Sequence, residues 1–299
     1  MTYAIQTDTL VKTFRRVDAL QGLTMSVPQG AVFALVGPNG AGKTTAIKIM
    51  MNILRPTSGR AEILGFDSSR LSGSSFCEIG YVSENQELPD WMTVSALLAY
   101  LKPFYPEWDQ ELADSLIKQF DLPLNRKLRH LSRGMRMKVA LASSLAFRPK
   151  LIVLDEPFTG LDPLVRDELI QGLLDRAEES TIFISSHDLA EIETFASHIA
   201  YLESGRLLFS EELTSLAARF REVEITFDAT PKLPNQPPPT WMQVTNSASV
   251  VRFIESNFDE ARTAAEIQRF FGTTRNTTFS PMSLRSIFLA MAKSGRQSA

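Results

Sequence analysis

Four short runs, Ala31-Val32-Phe33-Ala34-Leu35-Val36, Ile79-Gly80-Tyr81-Val82-Ser83, Leu151-Ile152-Val153-Leu154 and Thr181-Ile182-Phe183-Ile184-Ser185, are apolar at nearly every position. They are too short for helices, and such runs predict strands buried on both faces of a parallel sheet. Between the second and third, residues 93–122 take a helical spacing. Leu97, Leu98 and Leu101 form one stripe, and Trp108, Leu112, Leu116 and Phe120 recur every fourth residue along one helix face. Met135, Val139, Ala142 and Leu145 mark another helix, and one more is predicted from Leu164 to about Ala177. Stripes of this kind form core.

The remaining stretches read as shorter pieces. Residues 1–30 predict short strands and turns, with Gln29-Gly30 turning into the first buried strand. Pro56, Gly59, Gly65 and Gly73 punctuate short strands such as Ala61–Leu64. His198–Phe209 reads as a hairpin with Ser204-Gly205 at its turn. After about residue 218 the texture changes. Val223–Phe227 alternates like a half-exposed strand, then Pro231, Pro234, Pro237, Pro238 and Pro239 stiffen a loop. Val250–Ile254 is a second strand, and Asp259–Phe271 a helix closed by Gly272. Ser283–Ala292 closes the pattern with Leu284, Ile287, Phe288 and Met291 on one face. The expectation is an α/β domain over residues 1–217 and a small α+β module over 218–299.

Composition narrows the class. The 299 residues are 44% hydrophobic and 22% charged, as in ordinary globular chains. With 31 basic and 34 acidic residues the net charge is −3, so no bulk positive field invites nucleic acid and none is expected as a partner. A lone cysteine, Cys77, excludes an internal disulfide framework and fits a reducing compartment. The first residues lack the charged start and apolar core of a signal peptide. No apolar run approaches the ~18 residues that span a bilayer. A cytosolic location is therefore expected, with any membrane role borrowed from a partner.

The chemistry gathers at the ends of the predicted strands. Gly37-Pro38-Asn39-Gly40-Ala41-Gly42-Lys43-Thr44-Thr45 lies between the strand ending at Val36 and the helix continuing through Ala46–Met51. That is the G-x-x-x-x-G-K-[ST] phosphate loop in the context that would confirm it. Glycines let backbone N–H groups converge on phosphate oxygens, and a helix N-terminus favours the anion. Lys43 can reach the outer phosphates, and the Thr44 hydroxyl suits Mg²⁺. Asp155-Glu156 follows a buried strand, where open α/β sheets bind ligands. Desolvated carboxylates need compensating charge, which a bound cation supplies. Ser186-His187-Asp188 is delivered to the same sheet edge. Leu131-Ser132-Arg133-Gly134-Met135 opens a helix with Ser132 as a good N-cap, and Gly160-Leu161-Asp162-Pro163 is a turn.

In that order, these motifs resemble the nucleotide-binding subunit of ATP-binding cassette (ABC) transporters over roughly residues 1–215. The resemblance implies a P-loop ATPase domain with a mixed-sheet core, a helical subdomain at about 90–145, and ATP with Mg²⁺ as cofactors. Gly37, Asn39, Gly40, Ala41, Gly42, Lys43, Thr44 and Thr45 would cradle the phosphates, and Phe14 would stack on adenine. Thr44 and Asp155 would hold Mg²⁺. Glu156 would polarise the attacking water, with Lys43 and His187 contacting the γ-phosphate. Ser132 and Gly134 would reach the nucleotide of a second subunit, and Asp162 would link the two sites.

Four positions depart from the family pattern. Arg133 and Met135 replace the common glycine and glutamine of Leu-Ser-Gly-Gly-Gln, a variant similar to that of exporter-type subunits. Glu84 stands where a glutamine usually touches the metal and the permease, with Gln86 two residues on; a carboxylate there still suits the metal and the nucleotide. Phe14 stands where tyrosine is common. Ser283–Leu289 is similar to the end of ABC-2-type exporter ATPases. The implied function is a peripheral ATPase on the inner face of the cell membrane, powering export through a separate permease as a homodimer or heterodimer. The alternative class, ABC ATPases acting on ribosomes or DNA, carries tandem domains or long coiled coils that are missing here.

Overall fold

The computed structural model describes residues 2–297 and divides into two compact units, 1–210 and 211–299. The first runs β1 (Tyr3–Phe14), β2 (Val17–Pro28), β3 (Val32–Val36), α1 (Lys43–Met50), β4 (Ser58–Ile63), β5 (Phe66–Asp67) and α2 (Gly73–Phe76). It continues through β6 (Ile79–Val82), α3 (Val94–Leu101), α4 (Gln110–Gln119), α5 (Arg133–Leu145), β7 (Leu151–Asp155), α6 (Pro163–Leu174), β8 (Thr181–Ser186), β9 (His198–Glu203) and β10 (Arg206–Glu212).

The apolar runs become the central sheet, ordered β10-β9-β3-β8-β7-β6. Pairing is parallel from β9 through β3, β8 and β7 to β6. Every residue of β3, β7 and β8 is buried, which is why these strands carry no alternation. Register brings Val36 beside Ser186, and Asp155 beside Ser185. The loops after β3, β7 and β8 therefore leave from one sheet edge. That placement builds the site.

A second sheet, β2-β1-β4-β5, is antiparallel. Here the structure corrects the reading of residues 1–30 as short strands and turns: β1 and β2 are each 12 residues long. Register shifts break their alternation, with Thr9 at φ 48 and Gly22 at φ 85, so one long hairpin looks in sequence like several short pieces. The helical stretch at 93–122 is likewise two helices. Pro103 and Pro106 occupy the Lys102–Asp109 break between α3 and α4, and Asp109 caps α4 by accepting from the Leu112 N–H. Leu112, Leu116 and Phe120 are buried as their spacing requires, while Trp108 precedes the helix. The predicted α6 stops at Leu174.

The 211–299 unit holds α7 (Leu213–Arg219), β11 (Arg221–Thr226), β12 (Trp241–Ser247), β13 (Val250–Glu255), α8 (Glu260–Phe271), β14 (Asn276–Pro281) and α9 (Leu284–Gln297). Its antiparallel sheet is ordered β12-β13-β11-β14. Ile267 of α8 packs with Val223, Ile225, Val251, Phe253 and Trp241. Strands β12 and β14 and helix α7 escape a periodicity reading, because β14 is half-exposed and rich in Thr and Ser.

Candidate nucleotide site

The loop after β3 is shaped by close approach. A Cβ on Gly37 would lie 2.1 Å from the Leu202 carbonyl oxygen, and one on Gly42 2.4 Å from that of Ala19. Gly42 also sits at φ 109, open to glycine and costly for other residues. The Gly37 N–H donates to the Ser186 carbonyl at 3.2 Å, tying the loop to the end of β8. Helix α1 starts at Lys43 with no side-chain cap and no acidic residue in its first turn. Its first N–H groups and dipole are thus available to an anion.

Lys43 is buried, and its ammonium donates to the carbonyls of Gly37 at 2.6 Å and Pro38 at 3.2 Å. It also lies 3.1 Å from Glu156 Oε1, an ion pair whose direction makes no hydrogen bond. Glu156 Oε2 accepts from the Thr159 hydroxyl at 3.1 Å and lies 2.7 Å from His187 Nδ1. Burial pushes the Glu156 carboxyl up, but His187 and Lys43 outweigh it and hold the group below its ordinary value. An ionised Glu156 makes His187 Nδ1 the donor and leaves Nε2 free on the other side of the ring. Glu156 itself is at φ 50, a rare conformation for a non-glycine residue, stabilised in part by its N–H donating to Ser185 Oγ at 3.0 Å.

Asp155 is the contrasting carboxylate. Its Oδ1 accepts from the hydroxyls of Ser185 at 2.7 Å and Thr44 at 3.1 Å. Burial raises its pKa, those two hydrogen bonds oppose the rise, and the charges of Glu156 and Glu84 add to it. The same burial, with the Asp155 charge, pushes Tyr81 up to about 12. Among the described residues no ion pair neutralises Asp155.

These groups border a cavity of about 570 Å³. Asn39, Gly40, Ala41, Gly42, Lys43, Thr44, Thr45, Glu84, Glu156 and His187 line it, and Asp155 stands behind Thr44. Of the predicted set these come together. Phe14 does not line the cavity; it is exposed, with the Lys12 ammonium 4.9 Å from its ring centroid. Val17, Asp18 and Ala19 line that side instead. Ser132 caps α5, its hydroxyl accepting from the Met135 N–H at 3.3 Å, and Asp162 caps α6 through the Val165 N–H at 3.0 Å. Gly134 packs against Val165. None of these three lines the cavity within one chain. Glu84 forms a 3.6 Å ion pair with Arg133, while Gln86 is folded back as acceptor for Ser83 N–H at 3.1 Å.

Sequence reasoning passed over Thr159, Ser185, Val17 and Ser204. Only Ser185 carried a signal, a hydroxyl ending an otherwise apolar strand. The others reach the site through turns whose approach no local pattern encodes.

The ABC transporter family model matches residues 20–159. YcbN of Bacillus subtilis, an ABC transporter ATP-binding protein, is 33% identical over 77% of this chain and 76% of its own length. The chain belongs to the ATP-binding proteins of ABC transporters. The P-loop ATPase fold and an ATP-hydrolysing activity come with that membership. DrrA of Streptomyces peucetius, a daunorubicin/doxorubicin resistance ATP-binding protein, is 29% identical over 97% of this chain and 92% of its own. That match includes the 211–299 unit. Against sll0415 of Synechocystis, 34% identical over 71% of this chain, the match spans 61% of the relative's length. Among solved structures, the dimeric cassette MJ0796 superposes with TM-score 0.63 at 25% identity, covering 70% of this chain and 98% of that one.

Proposed function

We infer that this chain is the ATP-hydrolysing subunit of an exporter, working as a dimer beneath a separate transmembrane permease. The observation that carries the reading is the meeting of Lys43 and His187 on the two oxygens of Glu156, at 3.1 Å and 2.7 Å, beside the phosphate loop. In this reading ATP lies in the cavity with its phosphates on the N–H groups of Gly40 to Thr45. The Lys43 ammonium exchanges the Gly37 and Pro38 carbonyls for phosphate oxygens, and its departure frees Glu156 Oε1 to orient the attacking water. His187, held by Glu156 through Nδ1, presents Nε2 toward the γ-phosphate. Transfer to water needs mainly position and neutralised charge.

Mg²⁺ fits the residues present. The Thr44 hydroxyl and the Asp155 carboxylate are hard oxygen donors in contact, and Asp155 is a buried carboxyl with no cationic partner among the described residues. Bound there with Glu84 near, the ion supplies positive charge against the phosphates. Asp155 orients the Thr44 hydroxyl in either case.

Ser132, Gly134 and Asp162 stand outside the single-chain cavity, which supports a second subunit completing each site; Phe14 is proposed to close on the adenine. No helix among the described residues is long and apolar enough to cross a membrane. In this reading a partner supplies the span, with this chain peripheral on the inner face. The printed names of DrrA, a drug resistance ATP-binding protein, and of YcbN, a transporter ATP-binding protein, support this reading. The test is phosphate release from Mg-ATP by the purified chain, followed by affinity capture. Hydrolysis and co-capture of a multi-span membrane protein support the reading; ribosome capture in its place overturns it.

A further inference from the structure

One buried carboxylate takes no part in the chemistry above. Glu191 follows β8 in a 3-10 turn (Leu189–Glu191) and is 7% exposed. A carboxylate so far from water needs partners, and it has two. Its Oε2 accepts from the Ser186 hydroxyl at 2.8 Å, and its Oε1 faces the Arg166 guanidinium at 3.5 Å.

Ser186 is the residue before His187 and is 1% exposed. Its oxygen also accepts from the Asp188 N–H at 3.0 Å and lies 3.1 Å from the Asp188 carbonyl. A hydroxyl has one proton, and the charged Glu191 oxygen at 2.8 Å takes it in preference to that carbonyl. The Asp188 N–H then fills the hydroxyl's acceptor side. The backbone on both sides of His187 is thereby tied to one oxygen, and Glu191 fixes which way that oxygen's proton points. The Ser186 carbonyl meanwhile accepts the Gly37 N–H, so the same residue anchors the phosphate loop. On the far side, Arg166 lies in the first turn of α6, its N–H donating to the Asp162 carbonyl at 3.1 Å.

We propose that Glu191 is a positioning residue for hydrolysis, holding the His187 turn through the Ser186 hydroxyl and joining it, through Arg166, to the helix that Asp162 caps. The proposal rests on the ATPase reading above, since it acts through His187. It assigns Glu191 no contact with nucleotide or water. Its effect is confined to where the His187 ring stands relative to Glu156, so it governs turnover and leaves ground-state binding alone.

The test uses the full chain and three variants, Ser186→Ala, Glu191→Ala and the double variant. Ser186→Ala removes one oxygen atom and keeps the assay interpretable if Glu191→Ala fails to fold. Misplacing a catalytic group costs rate steeply, so each single variant is expected to lose on the order of tenfold in kcat. ATP affinity, read by fluorescent-nucleotide titration, is expected to stay within about twofold. Because both residues serve one device, the double variant should be no slower than the worse single one. A Ser186→Ala protein at wild-type kcat overturns the proposal, as do losses that multiply in the double variant. Loss of ATP affinity in step with kcat overturns it too. Wild-type hydrolysis with no loss in the variants overturns the positioning role alone. A wild type that hydrolyses no Mg-ATP overturns it together with the function on which it rests.

Discussion

His187 Nδ1 lies 2.7 Å from Glu156 Oε2, and that contact unites side chains delivered by two neighbouring strands of the central sheet. The pairing keeps Glu156 ionised despite its burial and fixes which histidine nitrogen faces away. A carboxylate and an imidazole so joined act as one unit, and the loss of either should be felt in the chemical step.

Glu156→Gln keeps the size of the side chain and removes its charge. ATP should still bind, within about threefold of wild type, because the phosphate-loop donors are untouched. Turnover should fall by roughly 10²–10⁴, the usual contribution of a positioned base. Steady-state phosphate release and equilibrium nucleotide titration decide this together, and equal rates would remove Glu156 from the mechanism.

Lys43 differs in kind. It is buried against two carbonyls and Glu156, and is the ammonium among the cavity-lining residues of the phosphate loop. Lys43→Ala should weaken ATP binding itself by about 10–100-fold, as expected for a lost charge-assisted contact. Isothermal titration with Mg-ATP measures it; unchanged affinity would show that the backbone N–H groups suffice.

Asp155 and Glu156 should respond to pH in opposite senses. Glu156 has a folded pKa below its ordinary value, so its contribution to stability is present above that ordinary value and lost as pH falls through the lowered one. Asp155 has a folded pKa above 3.8, so its contribution is full below 3.8 and lost as pH rises through the raised value. Asp155→Asn keeps an acceptor for Thr44 and Ser185 without the desolvated charge. In metal- and nucleotide-free protein near neutral pH it should raise Tm by about 2–4 °C. Calorimetry across pH checks the sign, and a lower Tm for Asp155→Asn refutes it.

Gly172 in α6 faces the ring of Phe120, and a Cβ there would lie 2.6 Å from the ring tip. Alanine gains about 1 kcal/mol of helix propensity over glycine, whereas overpacking a filled core costs about 1–3 kcal/mol. Phe120 is fully buried with little room to yield, so Gly172→Ala should be destabilising and lower Tm by about 2–4 °C. Thermal unfolding gives the answer directly, and a raised Tm would mean that the ring moves aside.

The order of buried strands, the phosphate loop, the Asp155-Glu156 pair and the helical stripes were all legible in the sequence. Each is a local pattern: a continuous apolar run fits only a strand covered on both faces, and a glycine-rich turn between strand and helix has few other uses. The long β1–β2 hairpin was not legible, because bulges at Thr9 and Gly22 interrupt its alternation. Nor were Ser185 as the shared partner of Asp155 and Glu156, or the turn that brings Thr159 to Glu156. These contacts depend on which strands are neighbours and in what register. The sequence by itself determined which groups this protein has for handling a phosphate. Only the tertiary structure decided that Glu156 is held ionised by His187 and Lys43 while Asp155, one residue earlier, has no ion pair among the described residues. The reason is physical: burial and partner distance set a carboxyl's charge, and both come from the packing of strands remote in sequence.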